Sequence, residues 1–80
     1  MRDNLQHYAD RIVQCLYNNG IDNYIRHTIK GSQIRFYFLI SDKEKCYVID
    51  GELYKDYLHA MPYEVANYLT YYVKSAIELR

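Results

Sequence analysis

Between Tyr24 and Asp50 the chain reads YIRHTIKGSQIRFYFLISDKEKCYVID, with Ile, Phe and Tyr returning at alternate positions among polar residues. An extended chain sends successive side chains to opposite faces, so this period of two predicts three antiparallel strands joined by two tight turns. Gly31-Ser32 puts glycine first, as a two-residue hairpin loop of type II′ requires. The turn then sets the register: Lys30 faces Gln33, Ile29 faces Ile34, His27 faces Phe36 and Ile25 faces Phe38. One side of the sheet would carry Ile21, Ile25, His27, Ile29, Ile34, Phe36, Phe38 and Ile40. The other would carry Tyr24, Arg26, Thr28, Arg35, Tyr37 and Leu39.

The second turn, Ser41-Asp42-Lys43-Glu44, has turn formers but no glycine and leaves two registers open. With Asp42-Lys43 as the loop, Tyr47 and Ile49 join the apolar side, Cys46 and Val48 join the other, and Arg35 faces Asp50. A loop longer by one residue exchanges the two sets. In either case the second face gains two apolar groups beside Tyr37 and Leu39.

Outside this meander the apolar period changes to that of a helix. Leu5, Tyr8, Ala9, Ile12, Val13 and Leu16 form one stripe, with Asp3 as an expected cap, Gln6 three residues on, and Asn18-Asn19-Gly20 as the stop. Pro62 suits the first turn of a last helix, in which Val65, Leu69, Tyr72, Val73, Ala76 and Leu79 face inward with Tyr68 at the edge. Asn67, Thr70, Tyr71, Lys74 and Glu78 face outward. In the segment GELYKDYLHAM, from Gly51 to Met61, Leu53, Tyr57, Leu58 and Met61 predict a helical turn or two. The expected fold is α+β in two layers, α-β-β-β-(short α)-α, with both terminal helices on one face of the three-stranded sheet and the other face uncovered. Residues 1–80 are expected to form one domain, without repeat, linker or low-complexity tract.

Charge and composition narrow the function classes. Ten basic and ten acidic residues are interspersed to a net charge of zero, so no strong field draws the chain to nucleic acid or anionic lipid. The longest wholly apolar run, Phe36 to Ile40, is far too short to cross a membrane, and MRDNLQHYAD lacks the apolar core of a signal peptide. The expectation is a cytoplasmic protein whose two cysteines, Cys15 and Cys46, are reduced.

Catalytic and metal-binding patterns are missing from the sequence. The histidines and cysteines at positions 7, 15, 27, 46 and 59 make no CxxC, HxxxH or CxxH pair, so neither a metal ligand set nor a cofactor is implied. His27 is expected to be a neutral, hydrogen-bonded histidine at an opening of the core, and Cys15 a small packing residue. In one register Cys46 lies on the exposed sheet face, where a thiol could serve as a nucleophile, but the pairing implies no neighbouring histidine and the simpler expectation is a packing or interface thiol. Gly20, Gly31 and Gly51 fall at helix ends and turns, and none opens a phosphate loop. Asp42, Glu44, Asp50, Glu52 and Asp56 alternate with Lys43, Lys45 and Lys55 along a solvated edge. The chain is therefore expected not to be an enzyme, and no small-molecule ligand is implied.

One feature points to binding. Tyr24, Tyr37 and Leu39, joined by Tyr47 and Ile49 in one register or by Cys46 and Val48 in the other and bordered by Arg26 and Arg35, make a patch of the Tyr-plus-Arg kind enriched at the centres of protein interfaces. A contiguous apolar patch exceeds what monomeric proteins usually expose. The expected partner is another protein or a second copy of the chain.

The α-β-β-β-α order resembles the double-stranded-RNA-binding domain, whose last helix opens with lysines that grip phosphates. Here that helix opens Met61-Pro62-Tyr63-Glu64-Val65, without the basic cluster, so RNA binding remains a minor alternative. In size, element order and Tyr/Ile/Asn/Lys-rich composition the chain also resembles small phage and mobile-element proteins, including anti-CRISPR proteins. That resemblance implies an inhibitor that occupies a surface on a larger host enzyme.

Overall fold

A computed structural model describes residues 2–50 and 61–78. Helix α1 (Arg2–Asn18) precedes strands β1 (Tyr24–Lys30), β2 (Gln33–Ile40) and β3 (Lys43–Asp50), and helix α2 (Pro62–Glu78) follows. The strands form one antiparallel sheet in the order β1-β2-β3. The expected α+β meander between two helices is what the chain adopts. The short helix expected over 51–61 lies outside the described residues except for Met61, which precedes α2 without joining it.

Both helices bury their apolar stripes on one face of the sheet. Ala9, Ile12 and Leu16 of α1 and Val65, Ala66, Leu69 and Val73 of α2 meet Ile34, Phe36, Phe38 and Ile40 of β2, with Ile49 of β3 and Ile21 completing the core. Phe36 and Phe38 are wholly buried. Each contributes about 1.5–3 kcal/mol relative to an exposed ring. The alternation along β2 is therefore the main organiser, because its inward residues touch both helices.

The helix ends follow from local chemistry. At the end of α1, Gly20 adopts φ +85°, its N–H donates to the Tyr17 carbonyl (3.0 Å), and the Ile21 N–H donates to the Leu16 carbonyl (3.0 Å). This is a Schellman closure with its usual apolar contact, since Leu16 and Ile21 are both in the core. At the start of α2, Pro62 occupies the first helical position and Glu64 Oε1 accepts the Met61 N–H at 3.1 Å, half of a capping box.

Four expectations need correcting. Helix α1 begins at Arg2, one residue ahead of the expected cap Asp3, which therefore falls within the helix; Gln6 donates from Nε2 to Asp10 Oδ1 (2.9 Å). Tyr72 is exposed on α2, and Ala66 takes the inward place beside Val65 and Leu69. The second hairpin loop is Ser41-Asp42, one residue earlier than Asp42-Lys43, so Ile40 pairs with Lys43 and Arg35 faces Val48 instead of Asp50. Both loop residues have positive φ, 55° and 65°, the pair that a type I′ loop demands. The faces nevertheless follow the first of the two registers, with Tyr47 and Ile49 inward and Cys46 and Val48 outward.

The fourth correction lies in β1. The first hairpin keeps the expected pairing from Lys30–Gln33 to Arg26–Tyr37, and then the register shifts so that Tyr24, not Ile25, faces Phe38. One extra residue on one strand is a β-bulge. It turns Tyr24 inward against the core and leaves Ile25 exposed. Asn23 ties down the strand entry: its carbonyl accepts the Leu39 N–H (2.8 Å) and its Nδ2 donates to the Leu39 carbonyl (3.0 Å).

Candidate protein-binding face

Among the described residues no helix lies over the second face of the sheet, because both helices pack on the first. The open face is ordered in rows by the strand pairing. Thr28, Arg35 and Val48 form one row and Arg26, Tyr37 and Cys46 the next, while Leu39 stands opposite Glu44. Leu39 and Val48 keep 48% and 44% of their surface in water, and Cys46 is exposed and unpaired.

Polar groups organise this face without covering it. The Arg26 guanidinium lies over the Tyr37 ring, 4.2 Å from its centroid, and also pairs with Glu44, so one cation bridges all three strands. Arg35 donates from Nη2 to Gln33 Oε1 (3.1 Å). Its Nε is shielded from water with no partner among the described residues. The face therefore has an ion-paired end, where Leu39 stands opposite Glu44 and Glu44 holds Arg26, and a second end where Val48 lies opposite Arg35, with Cys46 in the row between.

Four of the six expected site residues, Arg26, Arg35, Tyr37 and Leu39, share this face, and Tyr24 and Tyr47 do not. The bulge carries Tyr24 to the helix side, and the Ser41-Asp42 loop fixes Tyr47 there too. Tyr24 makes edge contacts with Tyr17 (6.1 Å) and Phe38 (6.0 Å), and its hydroxyl lies 2.6 Å from His27 Nδ1. Gln6 Nε2 stands 3.2 Å from His27 Nε2 on the other side of the ring. Asp10 Oδ1 also lies 3.6 Å from His27 Nε2, so the ring sits between a phenol, an amide and a carboxylate. Burial, aided by Tyr17 and Asp10, pushes the Tyr24 phenol up to about 12, so its hydroxyl keeps its proton at neutral pH. Tyr47 packs on Phe38 (5.7 Å) and Tyr72 (6.4 Å), and burial raises its phenol as well.

The pattern along the strands missed where the tyrosines gather. Tyr63, Tyr68, Tyr71 and Tyr72 lie exposed on α2, and Tyr72 touches both Tyr68 and Tyr71, with ring centroids 4.9 Å and 5.6 Å away. Their i, i+3, i+4 spacing was the available signal. Through Tyr47 they join a continuous series of rings that crosses the core to Tyr24 and Tyr17.

Among the described residues no three His, Cys, Asp or Glu side chains gather as a metal site, and no helix is long and apolar enough to cross a membrane. No protein-family model, curated protein or solved structure matches this chain.

Proposed function

We infer that the chain is a non-enzymatic protein-binding module that docks by the open face of its sheet onto a protein surface offering an apolar patch and a carboxylate. The exposed Val48 opposite Arg35, with Cys46 in the next row and Leu39 at the far end of the same face, carries this reading. Apolar groups next to an arginine are the makings of an interface centre, where an incoming carboxylate pairs with the guanidinium as water leaves. Arg35 has no acidic partner among the described residues, whereas Arg26 already has Glu44, so the charge complement belongs at Arg35. An inhibitor that covers a host defence or nucleic-acid enzyme, as the resemblance to small phage proteins implies, is one specific form. The unpaired Cys15 and Cys46 suit work in the reducing cytoplasm. Protein is favoured over duplex RNA as partner because the first turn of α2 bears Glu64 and no basic residue.

The test compares the wild-type chain with Leu39→Asp and Val48→Asp, both at exposed positions, in pull-downs from the native host and in sedimentation of the isolated chain. Loss of one captured protein by both variants, with unchanged circular dichroism and melting temperature, supports the assignment. Equal capture by all three removes it. Concentration-dependent self-association that the substitutions abolish replaces the foreign partner with a second copy.

A further inference from the structure

A second surface, away from the open sheet face, has the chemistry of a ligand site. Where α1 ends beside α2, an open groove of about 350 Å³ is lined by Asn19, Asn67, Thr70, Tyr71 and Lys74. Its volume falls at the lower end of the range for small-molecule sites. Four of the five residues come from one outward stripe of α2, at i, i+3, i+4 and i+7, so a single rigid helix sets their spacing.

The hydrogen bonds decide what such a groove can hold. Asn19 Nδ2 donates to Asn67 Oδ1 (3.0 Å) and to Thr70 Oγ1 (3.1 Å). Each of those oxygens keeps one lone pair, Asn19 Oδ1 stays an acceptor, and the donors that remain are the Asn67 amide N–H groups and the Thr70 hydroxyl hydrogen. Lys74 adds an ammonium, and no carboxylate stands within ion-pair distance of it among the described residues. Tyr71 adds a phenol donor on a ring that is 68% exposed and braced by its edge contact with Tyr72. With the Lys74 ammonium counted, donors exceed acceptors, no carboxylate holds that ammonium in a close ion pair among the described residues, and an aromatic face lies alongside. Two amides and a hydroxyl at this exposure are also what a solvated helix surface carries, but their mutual orientation and the free ammonium give the groove a polarity that suits an anion.

We propose that this groove binds a small aromatic oxyanion, with its phosphate or carboxylate oxygens on Asn67, Thr70 and Lys74 and its ring against Tyr71. The proposal is independent of the sheet face, which lies on other elements.

The experiment is an amide-resolved NMR titration of the full chain at low salt with phenyl phosphate, benzoate and uncharged benzamide. Saturable shifts confined to position 19 and positions 67–74 are expected for one or both anions, with benzamide and the Lys74→Ala variant each weaker by about tenfold, the value of a charge-assisted hydrogen bond. Phenyl phosphate binding alone assigns a phosphate ligand, and comparable binding of benzoate assigns carboxylates in general. Thr70→Val is a second variant, expected to weaken both anions while leaving benzamide unchanged. Absence of saturation at these positions up to about 10 mM, the weakest affinity worth assigning to a site, overturns the proposal. So does a Lys74→Ala variant that binds phenyl phosphate as well as wild type.

Discussion

Tyr24 and Arg26 stand on opposite faces of the sheet although only one residue separates them. In a regular strand they would share a face. The bulge at Ile25 breaks that rule, sending the tyrosine into the aromatic core and the arginine onto the Tyr37 ring. It also gives β1, an edge strand, an irregular margin that resists pairing with another sheet.

The bulge predicts an inversion of the usual hydrophobic ranking at two adjacent positions. Ile25→Lys should change unfolding free energy by less than about 0.5 kcal/mol, as for an ordinary surface site. Tyr24→Ala should remove roughly 2 kcal/mol, through a half-buried ring and its hydrogen bond to His27. Urea unfolding followed by circular dichroism measures both, and equal losses would place Ile25 back in the core.

Gly20→Ala should cost about 1 kcal/mol. The added methyl meets nothing within 4 Å, so the loss is conformational, from φ +85°, and not steric. Gly20→Asn, a residue that accepts left-handed backbone, should recover part of it in the same thermal melts.

The Ser41-Asp42 loop holds two non-glycine residues in left-handed conformation. Asp42→Gly should therefore stabilise the hairpin by about half a kcal/mol, the relief of strain being partly offset by a freer unfolded chain. A fall in the urea midpoint would show that the Asp42 side chain has another role.

Arg26 and Glu44 are both well exposed. A double-mutant cycle with Arg26→Ala and Glu44→Ala should give a coupling below about 1 kcal/mol that shrinks further at high salt. Arg26→Ala alone should cost more than Arg26→Lys if the guanidinium packs on Tyr37 as its position indicates.

Alkaline pH should loosen the fold in a defined window. The Tyr24 phenol is raised from 10.0 to about 12, so between these values the native state holds a proton that the unfolded chain has lost. Its contribution is complete below pH 10 and disappears as pH climbs to about 12, and Tyr8 and Tyr47 shift in the same direction. Phenolate absorbance should rise late for the folded chain, and Tyr24→Phe should flatten the fall in stability over this range. A steeper fall in that variant would reverse the sign.

Most of the architecture could be read from residue order because Ile34, Phe36, Phe38 and Ile40 obey a strict period of two and the helical stripes a period of 3.6. Gly31 announced its turn for the same local reason that Gly20 announced the end of α1. What escaped was non-local or degenerate. Tyr and Ile are both strand formers, so nothing in Tyr24-Ile25 says which one the core will take; packing against Phe38 and Tyr17 decides it. Ser41-Asp42-Lys43-Glu44 left two registers open, and the pairing of β2 with β3 selects the faces of the first with a loop one residue earlier. The candidate face was legible in Arg26, Arg35, Tyr37 and Leu39, which sit in regular pairing. It was illegible at Tyr24, beside the bulge, and at Tyr47, whose face depended on which loop closed the second hairpin.

The ring series from Tyr17 through Tyr24, Phe38 and Tyr47 to Tyr72 has an optical consequence. With eleven tyrosines and no tryptophan, all near-ultraviolet emission comes from phenols, and like chromophores this close exchange excitation before they radiate. Light absorbed beside β1 can leave from α2, so the fluorescence belongs to the set and reports disturbance at either end of the molecule.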